Sequence, residues 1–254
     1  MPGLANTNKF LLSSASVMIG AMADLHDMVP DTHGIGLIKN FSVTNETGYT
    51  DLTQGVKGSL VFSTLTSSVL RASMEVYEYT AKNISYALGL NGSGVTAQTV
   101  SNTVATAITS TPTTSLVLTS ATGFTAGDYV LIESDSVTDK FLVRKIASIA
   151  SQTLTLDKTV VGVPLASKVY KVNSIDLGSK VDQPFLAAKI TGKLADGSPV
   201  VFLFPKIRVT KGFEMAFNAS DYANMPFEFT MYDLTSADAE YANFPNKTGA
   251  MYLQ

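Results

Sequence analysis

Histidine and aspartate gather once in this chain, at Asp24, His26, Asp27, Asp31 and His33. Imidazole and carboxylate both ligate zinc, but a metal needs several of them held at one point. The spacing here is irregular and these are the only two His of the chain, which assigns the segment to a solvated loop. Cys is absent, so thiolate nucleophiles, disulfides and Cys-metal sites are excluded. The sequence carries no Gly-x-Ser-x-Gly elbow and no phosphate-loop Gly-x-x-x-x-Gly-Lys-Ser/Thr pattern. Residues 89–94 (GLNGSG) are glycine-rich, but they follow a helical pattern, whereas a phosphate loop precedes one. Glu75 and Glu78 lie close in sequence, yet nothing sets a partner acid across a cleft from them. The expectation is a chain without catalytic residues, metal or cofactor.

The composition bounds what such a chain can be. Its 254 residues allow one large β domain or two smaller ones. Abundant Thr, Ser, Val and Gly favour strands. Charged residues are only 15 %, against a usual value of about a quarter. Two causes stand open: a Ser/Thr-rich solvated surface, or a surface covered by other subunits. The net charge of −3 supplies no basic field to draw nucleic acid. No uncharged apolar run approaches the ~20 residues that span a bilayer. Residues 10–23 (FLLSSASVMIGAMA) mimic a signal peptide, but three Ser interrupt them and one Lys precedes them, so no export is expected.

The organising stretch is 69–90 (VLRASMEVYEYTAKNISYALGL). Leu70, Ala72, Met74 and Val76 alternate with Arg71, Ser73, Glu75 and Tyr77, the period of a half-buried strand. The period then lengthens. Thr80 caps a helix carrying Ala81, Ile84 and Leu88, and Gly89 stops it in the left-handed region. About ten residues are too few for a stable isolated helix, so it must dock on a sheet.

Around that stretch the pattern is mainly β. Residues 1–13 read as an extended arm, and 15–30 read either as a short amphipathic helix or as a strand followed by a loop. Residues 36–44 form a strand with Leu37, Phe41 and Val43 on one face; 45–48 turn; 49–56 return. Residues 57–68 (KGSLVFSTLTSS) form a long loop with an apolar knot at Leu60, Val61 and Phe62. Such a tip needs cover, from its own core or from a neighbouring subunit. Residues 91–110 read as a linker, and 114–172 as a small barrel or sandwich of five or six short strands, with Phe124 buried in a turn. Strands resume at 185–194 and 199–209, joined by the turn at 195–198, with 200–204 central because both faces are apolar. A further strand covers 225–234, and 235–254 shows no clear element. The domains expected are an arm (1–13), a discontinuous core (14–94 and 177–254) and an inserted β domain (95–176).

Four runs in this order, GLIKNF (36–41), LTQGVKGSLVF (52–62), RASMEVYEYTAKNISYALGL (71–90) and FPKIRVTKGFEMAFNASDYANMPFEF (204–229), resemble the major tail tube proteins of long-tailed bacteriophages. The resemblance covers about 150 residues and rests on structural positions, without a diagnostic motif. It implies two packed β sheets flanked by a helix, that is, a tail-tube-like β sandwich or barrel carrying a second, small barrel-like domain. It further implies hexameric rings that stack into a tube through a long loop and the terminal arms, and phage DNA passing down the lumen. The implied partners are the subunit itself, baseplate or tip, terminator and tape-measure proteins, a sheath if the tail is contractile, and DNA without specific binding, all in the virion, with no membrane. On this resemblance Lys57, Leu60, Val61, Phe62 and Leu65 form the stacking element.

Between Lys211 and Lys247 there is no Lys or Arg, while Glu214, Asp221, Glu228, Asp233, Asp238 and Glu240 fall there. Glu214, Asp221, Glu228 and Asp233 are candidates for an acidic lumen, since a cationic wall would hold phosphates; the alternative is a solvated acidic face. A different class also fits: a carbohydrate- or surface-binding β protein with Phe124, Tyr129 and Tyr170 as an aromatic platform. A tail terminator or an injection-machine tube subunit is a close structural relative, and a hydrolase is disfavoured by the missing motifs.

Overall fold

Alternating apolar residues give this chain strands, and the ladders between them divide it into two compact units, Met1–Val95 with Leu177–Gln254, and Thr96–Asp176. The computed structural model describes residues 15–54, 58–92, 95–134, 140–178, 182–216, 222–245 and 247–254. The expected N-terminal arm, Lys57 and Asp221 lie outside the described residues. The fold is mainly β. Among the described residues no helix is long and apolar enough to cross a membrane.

The first unit contains β1 (Ser16–Gly20), α1 (Pro30–His33), β2 (Ile38–Gln54), β3 (Ser59–Val76) and α2 (Ala81–Ala87). The second holds β4 (Ser101–Thr103), β5 (Thr113–Val117), β6 (Tyr129–Ser134), β7 (Lys140–Ala150), β8 (Thr153–Val160) and β9 (Lys168–Val172). The chain then returns to the first unit with β10 (Leu186–Lys193), β11 (Pro199–Lys211), β12 (Met225–Met231) and β13 (Ala250–Leu253).

In the first unit one antiparallel sheet runs β1-β10-β11-β12-β3-β2. β13 lies on β11 along Val200–Leu203, and β12 follows further along the strand, from Ile207. Pro205, with no N–H to give a ladder, stands between the two pairings. The sheet curls, so that Ile38, Phe41 and Val43 of β2 share one groove with Ile190 of β10 and Val200 and Phe202 of β11. Inside the curl lie Val17, Ile19, Met74, Val76, Ile190, Phe204, Ile207, Phe227 and Phe229. A second apolar layer on the opposite face joins Met18, Ala187 and Leu203 to Leu25, Met28, Leu234 and Phe244.

Seven residues of α2 hold their place through side chains rather than length. Thr80 Oγ1 accepts from the Asn83 N–H, as a capping residue should. Asn83 Nδ2 donates to the carbonyls of Ile35 and Glu78, Lys82 Nζ to that of Gly34, and the Tyr86 hydroxyl to that of Ile19. Gly89 ends the helix at φ +72°, where a Cβ would strike the Gln183 side chain.

The second unit is a six-stranded sheet ordered β4-β9-β6-β7-β8-β5. Its two ends meet: the Ala105 N–H donates to Val117 and the Thr119 N–H to Thr103, so the sheet closes on itself. Val130, Ile132, Ile146, Leu154, Leu156 and Val169 fill the interior.

Several sequence expectations change here. Residues 45–48 do not turn; they continue β2, and residues 59–68 are the first half of β3 rather than a loop. The reversal sits between Gln54 and Ser59, and Asn45–Gly48 pairs with Leu70–Ser67, because turn-favouring residues also fit an exposed ladder. Leu37 does not share a face with Phe41 and Val43. A bulge between Lys39 and Ser42, with Asn40 at φ +52°, shifts the alternation by one and turns Ile38 inward instead. Residues 15–30 resolve into β1 and a loop that holds a single 3-10 turn at Met22–Asp24, with Pro30 opening α1. The expected linker contributes β4, and the expected featureless tail contributes β13.

Candidate functional site

Beyond Arg71, β3 has no strand beside it except β2 among the described residues. From Asn45–Leu70 to Gln54–Ser59, the two strands form a hairpin of ten residue pairs, roughly 35 Å at the rise of an extended strand. Two-stranded ribbons are marginal alone, and polar pairs stiffen this one. Ser63 Oγ donates to Asp51 at 2.6 Å, Thr66 Oγ1 to the Gly48 carbonyl at 3.1 Å, and Ser68 Oγ to Asn45 at 3.1 Å.

The outer hairpin is apolar and bare. Tyr49, Leu52, Leu60, Val61, Phe62 and Leu65 are between 51 and 62 % exposed. The register pairs Tyr49 with Leu65, Leu52 with Phe62, and Thr53 with Leu60. Opposed residues share a face and successive residues alternate. Tyr49 and Leu65 therefore point to one side, and Leu52 and Phe62 to the other. A surface apolar on both sides needs cover on both sides, and contiguous exposure of this kind marks an interaction site. Four of the residues expected in a stacking element thus sit together on β3. Tyr49 and Leu52 were missed, although both lie in the 49–56 run expected to return as a strand. Placing a turn at 45–48 hid their pairing with Leu65 and Phe62.

The acidic candidates scatter. Glu228 on β12 lies 3.3 Å from Arg71 Nη1, and Arg71 Nε lies 3.4 Å from Glu46, so one guanidinium ties three strands together. Pairs this exposed contribute little to stability, but they neutralise Glu228. Asp238 lies 2.8 Å from Lys206 Nζ, and Glu240 lies 3.1 Å from His26 Nε2. The Lys206 hydrogen bond and the Thr235 N–H hold the Asp238 carboxyl down at about 2. Glu214 and Asp233 are exposed, and the Glu214 carbonyl accepts from the Tyr79 hydroxyl. Glu228 and Asp238 thus face cations from distant parts of the chain, and Glu240 faces the His26 imidazole.

The residues able to do other chemistry are separated. His26 turns to Glu240 and stacks on Phe244, while His33 Nδ1 accepts from the Val29 N–H within its own turn. Among the described residues no group of three or more His, Asp or Glu could hold a metal ion. Tyr129 and Tyr170 share the outer face of neighbouring strands β6 and β9. Tyr170 donates to Glu133 at 2.9 Å, which raises its phenol pKa, and Lys145 lies over the Tyr129 ring. Phe124 is 6 % exposed inside the barrel, so it cannot belong to a surface platform.

No protein-family model matches the chain, and a search of curated proteins finds no match.

Proposed function

We propose that this chain is a virion structural protein, the subunit of a phage tail tube, which assembles with copies of itself into stacked hexameric rings. The observation that carries this is the hairpin of β2 and β3: a stiff arm with bare apolar side chains on both faces and strand edges that no described strand pairs. A protein that works alone in water gains nothing from such an arm, and one that lives in an assembly needs it. The resemblance of the four runs to tail tube proteins supplies the kind of assembly, and the mainly β fold with a short docked helix is compatible with it. In the tube the arm reaches the next ring, DNA passes through the lumen without specific binding, and tail tip or baseplate, terminator and tape-measure proteins are the neighbours, joined by a sheath if the tail is contractile. Assembly takes place in the host cytoplasm. The competing carbohydrate-binding class keeps only Tyr129 and Tyr170, since Phe124 is buried.

Sedimentation of the purified protein over a rising concentration series tests self-assembly. Ring-sized species and larger multiples of the 27.0 kDa chain are expected. A single monomeric boundary at every concentration would contradict the proposal.

A further inference from the structure

The curled sheet leaves an apolar groove of about 690 Å³, lined by Ile38, Phe41 and Val43 of β2, Ile190 of β10, and Val200 and Phe202 of β11. It opens beside β2, whose only strand neighbour among the described residues is β3. Among the described residues nothing covers the groove or the bare hairpin tip, and both include β2. The tip cannot fill its own groove. Leu52 stands nine residues beyond Val43 along β2, about 30 Å of extended chain, and folding back would break the ladder between them.

We infer that the groove receives the hairpin tip of a second copy, making a head-to-tail contact. Six tip side chains, Tyr49, Leu52, Leu60, Val61, Phe62 and Leu65, offer on the order of 700 Å² of exposed surface summed over both faces of the hairpin, comparable with the ~800 Å² per partner of a specific interface when the tip is inserted with both faces covered. Charge agrees: the tip carries Asp51 and the groove wall carries Lys39. The edge of β2 that no described strand pairs adds N–H and C=O groups for an incoming strand. A contact that joins different patches on the two partners propagates from copy to copy, closing into rings or running on as filaments. The inference rests on the hairpin being an assembly element and adds the surface that accepts it.

The absence of native Cys makes cross-linking a clean test. Full-length Leu52→Cys and Val43→Cys proteins are prepared separately, then mixed at assembling concentration and oxidised or treated with a short bismaleimide. A cross-linked dimer is expected in the mixture and not in either protein alone, and adding Phe62→Asp to the Leu52→Cys copy should cut its yield about tenfold or more. Cross-linking of Leu52→Cys to itself, or assembled particles with no Leu52–Val43 cross-link, would overturn the inference. Tubes without this cross-link leave the tail-tube assignment standing and remove the groove. Cross-linked chains that never form rings or tubes do the opposite.

Discussion

Leu52 and Phe62 face each other across the outer β2–β3 ladder, both more than 60 % exposed. A cross-strand aliphatic–aromatic pair helps hold a hairpin, but two side chains left in water this far from the core do more for a partner than for the fold. Changing both to Asp should therefore separate folding from assembly. Thermal unfolding of the monomer should move little, because exposed substitutions stay within about 0.5 kcal/mol each. Assembly, followed by light scattering, should be lost. Unfolding of the variant would mean that the pair stabilises the chain itself.

The Tyr86 hydroxyl donates to the Ile19 carbonyl at 3.0 Å inside the core, joining α2 to β1. Burial, helped by the charge of Asp24, pushes its phenol up to about 12. The folded state thus keeps its proton after the unfolded chain has lost it near pH 10. The stability tied to this group is complete below pH 10 and falls between about 10 and 12, by roughly 2 to 3 kcal/mol. Tyr86→Phe should lose about 1 to 2 kcal/mol at neutral pH by orphaning the Ile19 carbonyl, and should flatten that alkaline decline in denaturant titrations.

Asp238 contributes on the acid side. Its carboxyl, held at about 2 first by Lys206 and then by Thr235, contributes stability that is present above the ordinary carboxylate value of 3.8. That contribution is lost as pH falls from there toward 2. Asp238→Asn should lower stability at neutral pH and reduce the further loss in acid, read from melting curves between pH 5 and 2. An unchanged acid slope would show that other carboxylates set it.

The inserted unit should fold by itself. Its core residues pack with one another, and its entrance and exit are tied together. Asn173 Nδ2 donates to the Thr96 carbonyl at 2.8 Å, and the Lys171 N–H to that of Val100. Residues 96–176 made alone should melt cooperatively, and a short linker joining residues 95 and 177 should leave the remaining unit folded and able to assemble. Loss of folding in both pieces would place the boundary elsewhere.

Alternation was legible where one face of a strand is wet. Phe227, Phe229 and Met231 lie inward on β12 as their spacing requires, and Thr80 and Gly89 bound α2 as their chemistry requires. β1 was not legible, because Val17 and Ile19 enter one apolar layer while Met18 enters the other, which erases the period. The outer hairpin was obscured for the opposite reason: neither face is buried, so polar and apolar residues follow no rule that a single chain imposes. Asn45–Gly48 then looked like a turn. Charge was misleading locally, since Glu228, Asp238 and Glu240 find Arg71, Lys206 and His26 far away in sequence. For the site, the residue types at 60–65 pointed to a surface needing cover, while the ladder supplied Tyr49, Leu52 and the division into two faces.

Electron microscopy of the purified full-length protein at high concentration, in negative stain, tests the central claim most directly. Rings and hollow tubes built by repeated stacking are the expected result, with the Leu52→Asp, Phe62→Asp double variant showing no tubes under the same conditions. A monodisperse monomer that stays monomeric, even when phage tail extract is added, would contradict it.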